Sequence, residues 1–422
     1  MQVRSSLSRF GVAVPQRFGA PKPPSTLFMG SFPPRECGIA TFTKDVVDNF
    51  DALFGTRSDV VAIDEAGAPD RAYPSNVIAR LNYSDAESYA AIAALVDAHP
   101  AEVLNVQHEY GLFGGPGGSW FADLIERIRK PVAVSLHTVL PEPDEEHRAL
   151  ARRICARADA IVVLSQTGKE ILVRGYGVDP SKVTVIHHGV PDVPFAKTDR
   201  AKASFGVGQR TVISTFGLIN RGKGLEYAIE AMSSVVRRHP EALYLILGET
   251  HPVVRRNEGE SYRESLKERI ADLGLSNNVA LVDRYLEFDE LVSYLAATDI
   301  YLTPYLNPVQ IVSGTLAYAV GCGKAIVSTP YLYAKEMLAH RRGFLAQFRD
   351  ASSIARLVSA LLDDPALRRF TERRAYRFGR QMTWPRVVGQ YGRLFGELVR
   401  APRAGTLRLP VAAPAALLVR PA

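Results

Sequence analysis

The stretch Val212–Met232, VISTFGLINRGKGLEYAIEAM, reads as a buried strand, a tight turn and the start of an amphipathic helix. Gly217 ends the strand, while Gly222 and Gly224 let the backbone fold back on itself. Lys223 stands where the helix begins. A helix start offers N–H groups without intrahelical acceptors and the positive end of the dipole, and a lysine adds a full charge, so this turn suits a phosphate. Its glycine spacing is not that of a P-loop. Read alone, Lys223 is equally an ordinary exposed lysine at a helix start.

The same beat of short apolar run and helical stretch extends on both sides. Downstream it predicts strands at Thr211–Phe216, Leu243–Leu247, Val279–Val282, Ile300–Thr303 and Ala325–Ser328. Upstream it predicts strands at Thr26–Gly30, Asp59–Ile63, Val103–Val106, Pro131–Leu136, Ala160–Leu164 and Val183–Ile186, with helices at Ile39–Phe50 and Ser84–Ala98. Strands separated by helices pair in parallel through right-handed crossovers. Between the two series, Pro191–Gly208 is broken by prolines and charges and reads as a linker. The expected fold class is therefore α/β, with two doubly wound Rossmann-like domains facing across a cleft. The expected divisions are a disordered leader at 1–25, a first domain at 26–195, a second at 205–382, a helix at 383–400 crossing back to the first domain, and a disordered tail at 401–422. In such sheets ligands sit beyond the carboxyl ends of the strands.

The chain has 422 residues, 47% hydrophobic and 23% charged, which fits two ordinary globular domains. The net charge of +7 invites a nucleic-acid reading, but its location opposes one. Arg4, Arg9, Arg17 and Lys22 near one end, with Arg403, Arg408 and Arg420 near the other, account for the excess without any nearby acid. The middle is balanced, so no nucleic-acid partner is expected. The basic ends suit at most a peripheral contact with an acidic membrane face. Three separated cysteines, Cys37, Cys155 and Cys322, fit a reducing, cytoplasmic setting better than a disulfide framework or a zinc cluster.

A second turn of phosphate-binding character is Pro308–Gly323, PVQIVSGTLAYAVGCG, in which Ser313, Gly314 and Thr315 precede a helix. They can cap it or present amides to an anion. In the first half, Phe32–Phe42, FPPRECGIATF, places Gly38 where the backbone could approach a ligand. Gln107, His108 and Glu109 follow a strand, and His251 lies in the polar segment Glu249–Tyr262 with Arg255 and Arg256; the first three and His251 are candidate acceptor contacts. No paired HExxH, CxxC or DxD pattern or nucleophile elbow is present, so no metal, no cofactor and no covalent serine or cysteine chemistry is expected.

The ordered stretches FGLINRGKGLEYAIEA, DIYLTPY and TLAYAVGCGKAIVSTP resemble the carboxyl-terminal domain of the family 4, group 1 retaining glycosyltransferases of GT-B fold. VVLS at Val162–Ser165, VIHHGV at Val185–Val190 and MTWPRVVGQYGRLF at Met382–Phe395 extend the resemblance over roughly residues 26–400. It implies that Lys223 and the amides of Gly314 and Thr315 hold a donor diphosphate, and that His137, in the strand-end segment SLHTV, faces the donor. An arginine usual in the family after the strand glycine is Leu218 here, for which Arg221 could substitute. The family's two glutamates, which meet the donor sugar and the nucleotide ribose, align with Gln310 and Tyr318. Gln310 still offers hydrogen bonds but no charge, and Tyr318 cannot give a ribose two acceptor oxygens. A branch of the family resembles this chain in carrying QIVSGTLAYA, GETHP and FPPRECGIATF together.

The resemblance implies transfer from a nucleotide-diphosphate sugar to an acceptor hydroxyl with retention, His137, Lys223 and Gln310 carrying the chemistry. The donor set is Gly38, Arg221, Lys223, Gln310, Ser313, Gly314, Thr315 and Tyr318. The partners implied are a small-molecule sugar donor and a saccharide or lipid-linked acceptor. The loss of the ribose glutamate keeps open a phosphorylase-like enzyme using a sugar 1-phosphate, and a non-catalytic sugar- or nucleotide-binding module.

Overall fold

A computed structural model of the chain describes residues 23–64 and 71–401. The leader and tail expected at 1–25 and 401–422 lie outside the described residues, except for 23–25 and 401. Two parallel sheets form the frame. The first contains β1 (Thr26–Gly30), β2 (Val60–Asp64), β3 (Val77–Asn82), β4 (Val103–His108), β5 (Val132–Leu136), β6 (Ala160–Val163) and β7 (Val183–Val185), in the order β3-β2-β1-β4-β5-β6-β7. The second contains β8 (Thr211–Phe216), β9 (Ala242–Leu247), β10 (Val279–Val282), β11 (Ile300–Thr303), β12 (Ala325–Ser328) and β13 (Phe344–Leu345), in the order β10-β9-β8-β11-β12-β13. Every pairing is parallel.

Central strands are buried on both faces, which is why they read as unbroken apolar runs. β3 is an edge strand that buries only Leu81, and its alternating VIARLN hides it from an apolar-run reading. β13 is too short to signal itself. Both doubly wound domains are thus present, and each reverses strand order beside its first strand, next to β1 and β4 or β8 and β11. That reversal opens a crevice at the carboxyl ends of the strands.

Within the Pro191–Gly208 linker, Asp199–Ser204 is helical, and Phe205 stacks on Tyr294 at 4.3 Å. After the second domain the chain pairs Thr383 with Val190 and enters the helix Trp384–Arg400. This helix lies on the first domain. Tyr391 OH meets Ser135 Oγ at 3.1 Å, and Phe395 packs against Phe28 and Phe50. Ile311, from the second domain, joins the apolar core of the first. Glu336, at the helix Leu332–Met337, accepts hydrogen bonds from Gln166 N (2.8 Å), Thr167 N (2.9 Å) and Thr167 Oγ1 (2.7 Å), capping the helix Gln166–Tyr176 from across the domain boundary. Among the described residues no helix is long and apolar enough to cross a membrane.

Candidate active site

At the carboxyl end of β8 the backbone turns through Gly217 (φ 120°) into the short turn Arg221–Lys223, and Gly224 (φ 61°) starts the helix Leu225–Arg238. A Cβ on Gly224 would stand 2.3 Å from the Pro304 carbonyl oxygen, so only glycine lets this turn sit against the end of β11. Lys223 is thereby aimed across the crevice. Its Nζ donates to Tyr305 OH at 2.8 Å and lies over that ring, 4.1 Å from its centre. Tyr305 OH shares a hydrogen bond with Thr315 Oγ1 at 2.8 Å, and Thr315 Oγ1 with Ser313 Oγ at 3.1 Å. Gly217 borders the same space, since a Cβ there would be 3.2 Å from the Thr315 methyl and 3.5 Å from Lys223 Nζ.

The structure therefore gathers Lys223, Ser313, Gly314 and Thr315, which come from two separate turns. Ser313 caps the helix Gly314–Gly321 by accepting from Leu316 N at 3.3 Å. The Gly314 and Thr315 N–H groups have no intrahelical acceptor. An ammonium beside two such amides, in a crevice, is chemistry for an anion. The helix after Lys223 is different: its first amide, Leu225 N, is taken by Tyr262 OH at 3.3 Å.

Facing this cluster is an aromatic and histidine wall of the first domain. His137, at the end of β5, bonds through Nε2 to Gln107 Oε1 at 2.9 Å. Gln107 Nε2 donates to Asn105 Oδ1 at 2.7 Å, which turns its carbonyl toward His137 and assigns the ring proton to Nε2. Nδ1 of His137 is left with a lone pair. Burial, with smaller contributions from His188 and His108, pushes the His137 imidazolium down to about 3, so the ring is neutral at pH 7. His188 Nδ1 meets Gly189 O at 2.7 Å, and burial lowers it to about 4. Both rings stand edge-on to Phe42, at 4.7 and 4.8 Å. A Cβ on Gly314 would stand 2.7 Å from His188 Nε2, so the two domains meet there without a side chain between them.

Other expected residues lie elsewhere. Gln107 is fully buried behind His137 and orients it rather than meeting an acceptor. His108, the next residue, points to the opposite face of the strand. It is fully buried, stacked on Phe113 at 5.4 Å, with neither ring nitrogen hydrogen-bonded among the described residues. It does not reach the cleft. Glu109 is half-buried; it accepts from Thr138 Oγ1 at 2.6 Å and from Tyr110 N at 3.0 Å, and burial raises its carboxyl. His251 lies in the second domain, capping the helix Pro252–Glu258, and burial and then the Lys223 charge lower it. It stands near enough to Lys223 to feel its charge. Arg221 is exposed and turned away, toward Glu258 at 3.4 Å and the Tyr262 ring. Gly38 begins the helix Gly38–Phe54, and a Cβ there would meet nothing within 4 Å, so no close approach demands a glycine. Gln310 is half-buried and donates to Val312 O at 2.9 Å.

Tyr318 is buried and reaches across the domain boundary: its OH donates to Asp45 Oδ2 at 3.0 Å. Burial pushes the Asp45 carboxyl up to about 6, partly offset by this hydrogen bond and by Lys44. Beside it, Thr41 Oγ1 meets Tyr285 OH at 3.1 Å. The sequence reading passed over Asp45, His188 and Tyr305. Tyr305 was visible as the last residue of DIYLTPY, immediately beyond a strand end; Asp45 carries no local signal on an amphipathic helix.

Residues 197–378 match the family model described as glycosyl transferases group 1, and residues 38–192 match that of glycosyltransferase family 4. An uncharacterized glycosyltransferase of Methanocaldococcus jannaschii is 23% identical over 259 residues, 60% of this chain and 62% of that protein. A D-inositol 3-phosphate glycosyltransferase of Streptomyces avermitilis is 26% identical over 321 residues, 71% of this chain and 66% of that protein. The chain thus spans just under two thirds of these relatives. The crystal structure of Anabaena HepE in complex with UDP superposes with a TM-score of 0.70 at 16% identity, covering 88% of this chain and 100% of that one. The segment 197–378 takes in the whole second sheet and 38–192 the first sheet apart from β1, so the two walls of the cleft are a group 1 glycosyl transferase domain and a family 4 glycosyltransferase domain in GT-B architecture.

Proposed function

We propose that the protein transfers a hexosyl group from a nucleoside-diphosphate sugar to an acceptor hydroxyl, with retention of configuration and without a metal ion. The observation that carries this reading is the meeting of Lys223 with the Ser313–Thr315 helix start through Tyr305. These groups would hold the donor diphosphate and offset the charge that grows on it as the glycosidic bond breaks, the role a divalent cation plays elsewhere. The neutral His137 would accept a hydrogen bond from a donor hydroxyl at Nδ1, and Gln310 would bind the sugar through its amide. The leaving phosphate would take the acceptor proton on the same face of the sugar. Glu109, at the first-domain side, is the remaining acceptor candidate; a saccharide or lipid-linked hydroxyl is the acceptor class proposed.

Three free cysteines support a reducing, cytoplasmic location, with any membrane contact peripheral. The complex of Anabaena HepE with UDP makes uridine diphosphate the first ligand to try. Titration calorimetry of the full chain with UDP and with sugar 1-phosphates tests the reading. Saturable UDP binding that weakens about 10- to 100-fold in Lys223→Ala is expected, the scale of one charge-assisted contact. Binding of sugar 1-phosphates but of no nucleoside diphosphate would refute the nucleotide donor.

A further inference from the structure

At the opposite end of the strands of the second sheet, where β11 and β12 begin, a cavity of about 180 Å³ opens between the interdomain connector and the helix Pro365–Gly379. It lies at the amino ends of the strands, away from Lys223. Five cationic side chains face three carboxylates in its lining, and the carboxylates do not balance them. Asp299 is fully engaged: its Oδ2 is 2.5 Å from Lys202 Nζ and accepts from Val212 N at 2.8 Å, while Oδ1 accepts from Thr198 at 2.9 Å. Glu372 is reached by Arg368 only at 3.9 Å, and burial raises its carboxyl.

Lys324 is the group left over. It is 6% exposed, and its ammonium has one close acceptor, Thr298 O at 3.1 Å, and a weaker one, Ala296 O at 3.5 Å. No carboxylate stands within ion-pair distance of it among the described residues. An ammonium carries three N–H donors, and holding one out of water without a counter-ion costs several kcal/mol. Arg369 and Lys197 stand exposed at the rim with no ion pair among the described residues. A buried ammonium, two uncommitted rim cations and a polar cavity between them form an arrangement short of an anion.

We propose that this cavity is a second anion site, taking one small phosphate-bearing anion whose oxygens accept from Lys324, Lys197 and Arg369. The volume lies below the roughly 300–1,000 Å³ of pockets that enclose drug-sized ligands, so it suits phosphate or diphosphate rather than a nucleotide. Lys197 belongs to the connector and Lys324 and Arg369 to the second domain. A bound anion would therefore fasten the connector to that domain and link occupancy to the relation between the two walls of the cleft.

The test uses the full chain carrying Lys223→Ala, so that the cleft loses its ammonium and any anion left at the Ser313–Thr315 helix start is told apart by its indifference to the substitutions below, at constant ionic strength set with chloride. Calorimetric titration with inorganic phosphate and with diphosphate is expected to show one saturable site per chain. Adding Lys197→Ala and Arg369→Ala, both at exposed positions, is expected to weaken it by about tenfold or more. Lys324→Met should abolish it, and because that buried change could disturb folding, the exposed pair is decisive. Absence of saturable binding, or affinity unchanged by the paired substitution, would overturn the proposal.

Discussion

Replacing Asp45 by Asn removes a charge that the domain boundary holds at a cost, while keeping an acceptor for Tyr318 OH at the same place. Burial is the largest influence on this carboxyl, raising it from 3.8 to about 6. At 1.36 kcal/mol for each tenfold change in the ionisation constant, the folded state loses about 3 kcal/mol by keeping Asp45 ionised above pH 6. The sign follows from proton binding. Between pH 3.8 and 6 the folded chain holds a proton here that the unfolded chain has lost, so stability falls as pH rises through that window and the penalty is complete above it. Asp45→Asn is therefore expected to stabilise the first domain by about 3 kcal/mol at pH 7.5 and by about half of that at pH 5. Urea denaturation followed by near-ultraviolet circular dichroism at the two pH values measures both gains. An Asn variant less stable than the parent at pH 7.5, or a gain that does not shrink at pH 5, would refute the reasoning.

Gly189→Ala would place a Cβ 2.2 Å from the Trp384 ring, and overpacking of this kind should cost about 1–3 kcal/mol and loosen the helix Trp384–Arg400, read as faster hydrogen exchange there. Glu336→Ala removes three hydrogen bonds to the start of the helix Gln166–Tyr176; a loss of about 2–3 kcal/mol, with deprotection of the Gln166 and Thr167 amides, is the expected result. His108 has no hydrogen-bond partner among the described residues and its imidazolium is pushed down to about 3 by burial, so its neutral form contributes stability that is complete above the ordinary value of 6.5 and is lost as pH falls from there toward 3. His108→Leu should accordingly flatten the acid limb of a pH–stability profile, by about 2 kcal/mol at pH 5.

The fold was legible because parallel strands buried on both faces give unbroken apolar runs; β8 to β12 stand where those runs lie, within a residue at their ends. β3 escaped because an edge strand alternates, and β13 because two residues carry no pattern. The cluster of Lys223 with Ser313–Thr315 was legible in part, since glycines and a helix start mark a turn that can meet an anion. What local sequence cannot supply is the direction of a side chain after the turn. Arg221 and Lys223 are two residues apart, yet one faces Glu258 and the other Tyr305. Gln107 and His108 are adjacent and lie on opposite faces of β4, so at most one could ever have served the cleft. The Tyr318–Asp45 contact joins positions 273 apart in the chain and follows from tertiary packing alone.

Release of nucleoside diphosphate from a panel of nucleotide sugars, with a chelator present and with the Lys223→Ala variant alongside, tests the central claim most directly. One nucleotide sugar turned over by the parent with chelator present, and a loss of about 100- to 1,000-fold in Lys223→Ala, is the predicted result. No release from any nucleotide sugar, or release that Lys223→Ala leaves unchanged, would contradict it.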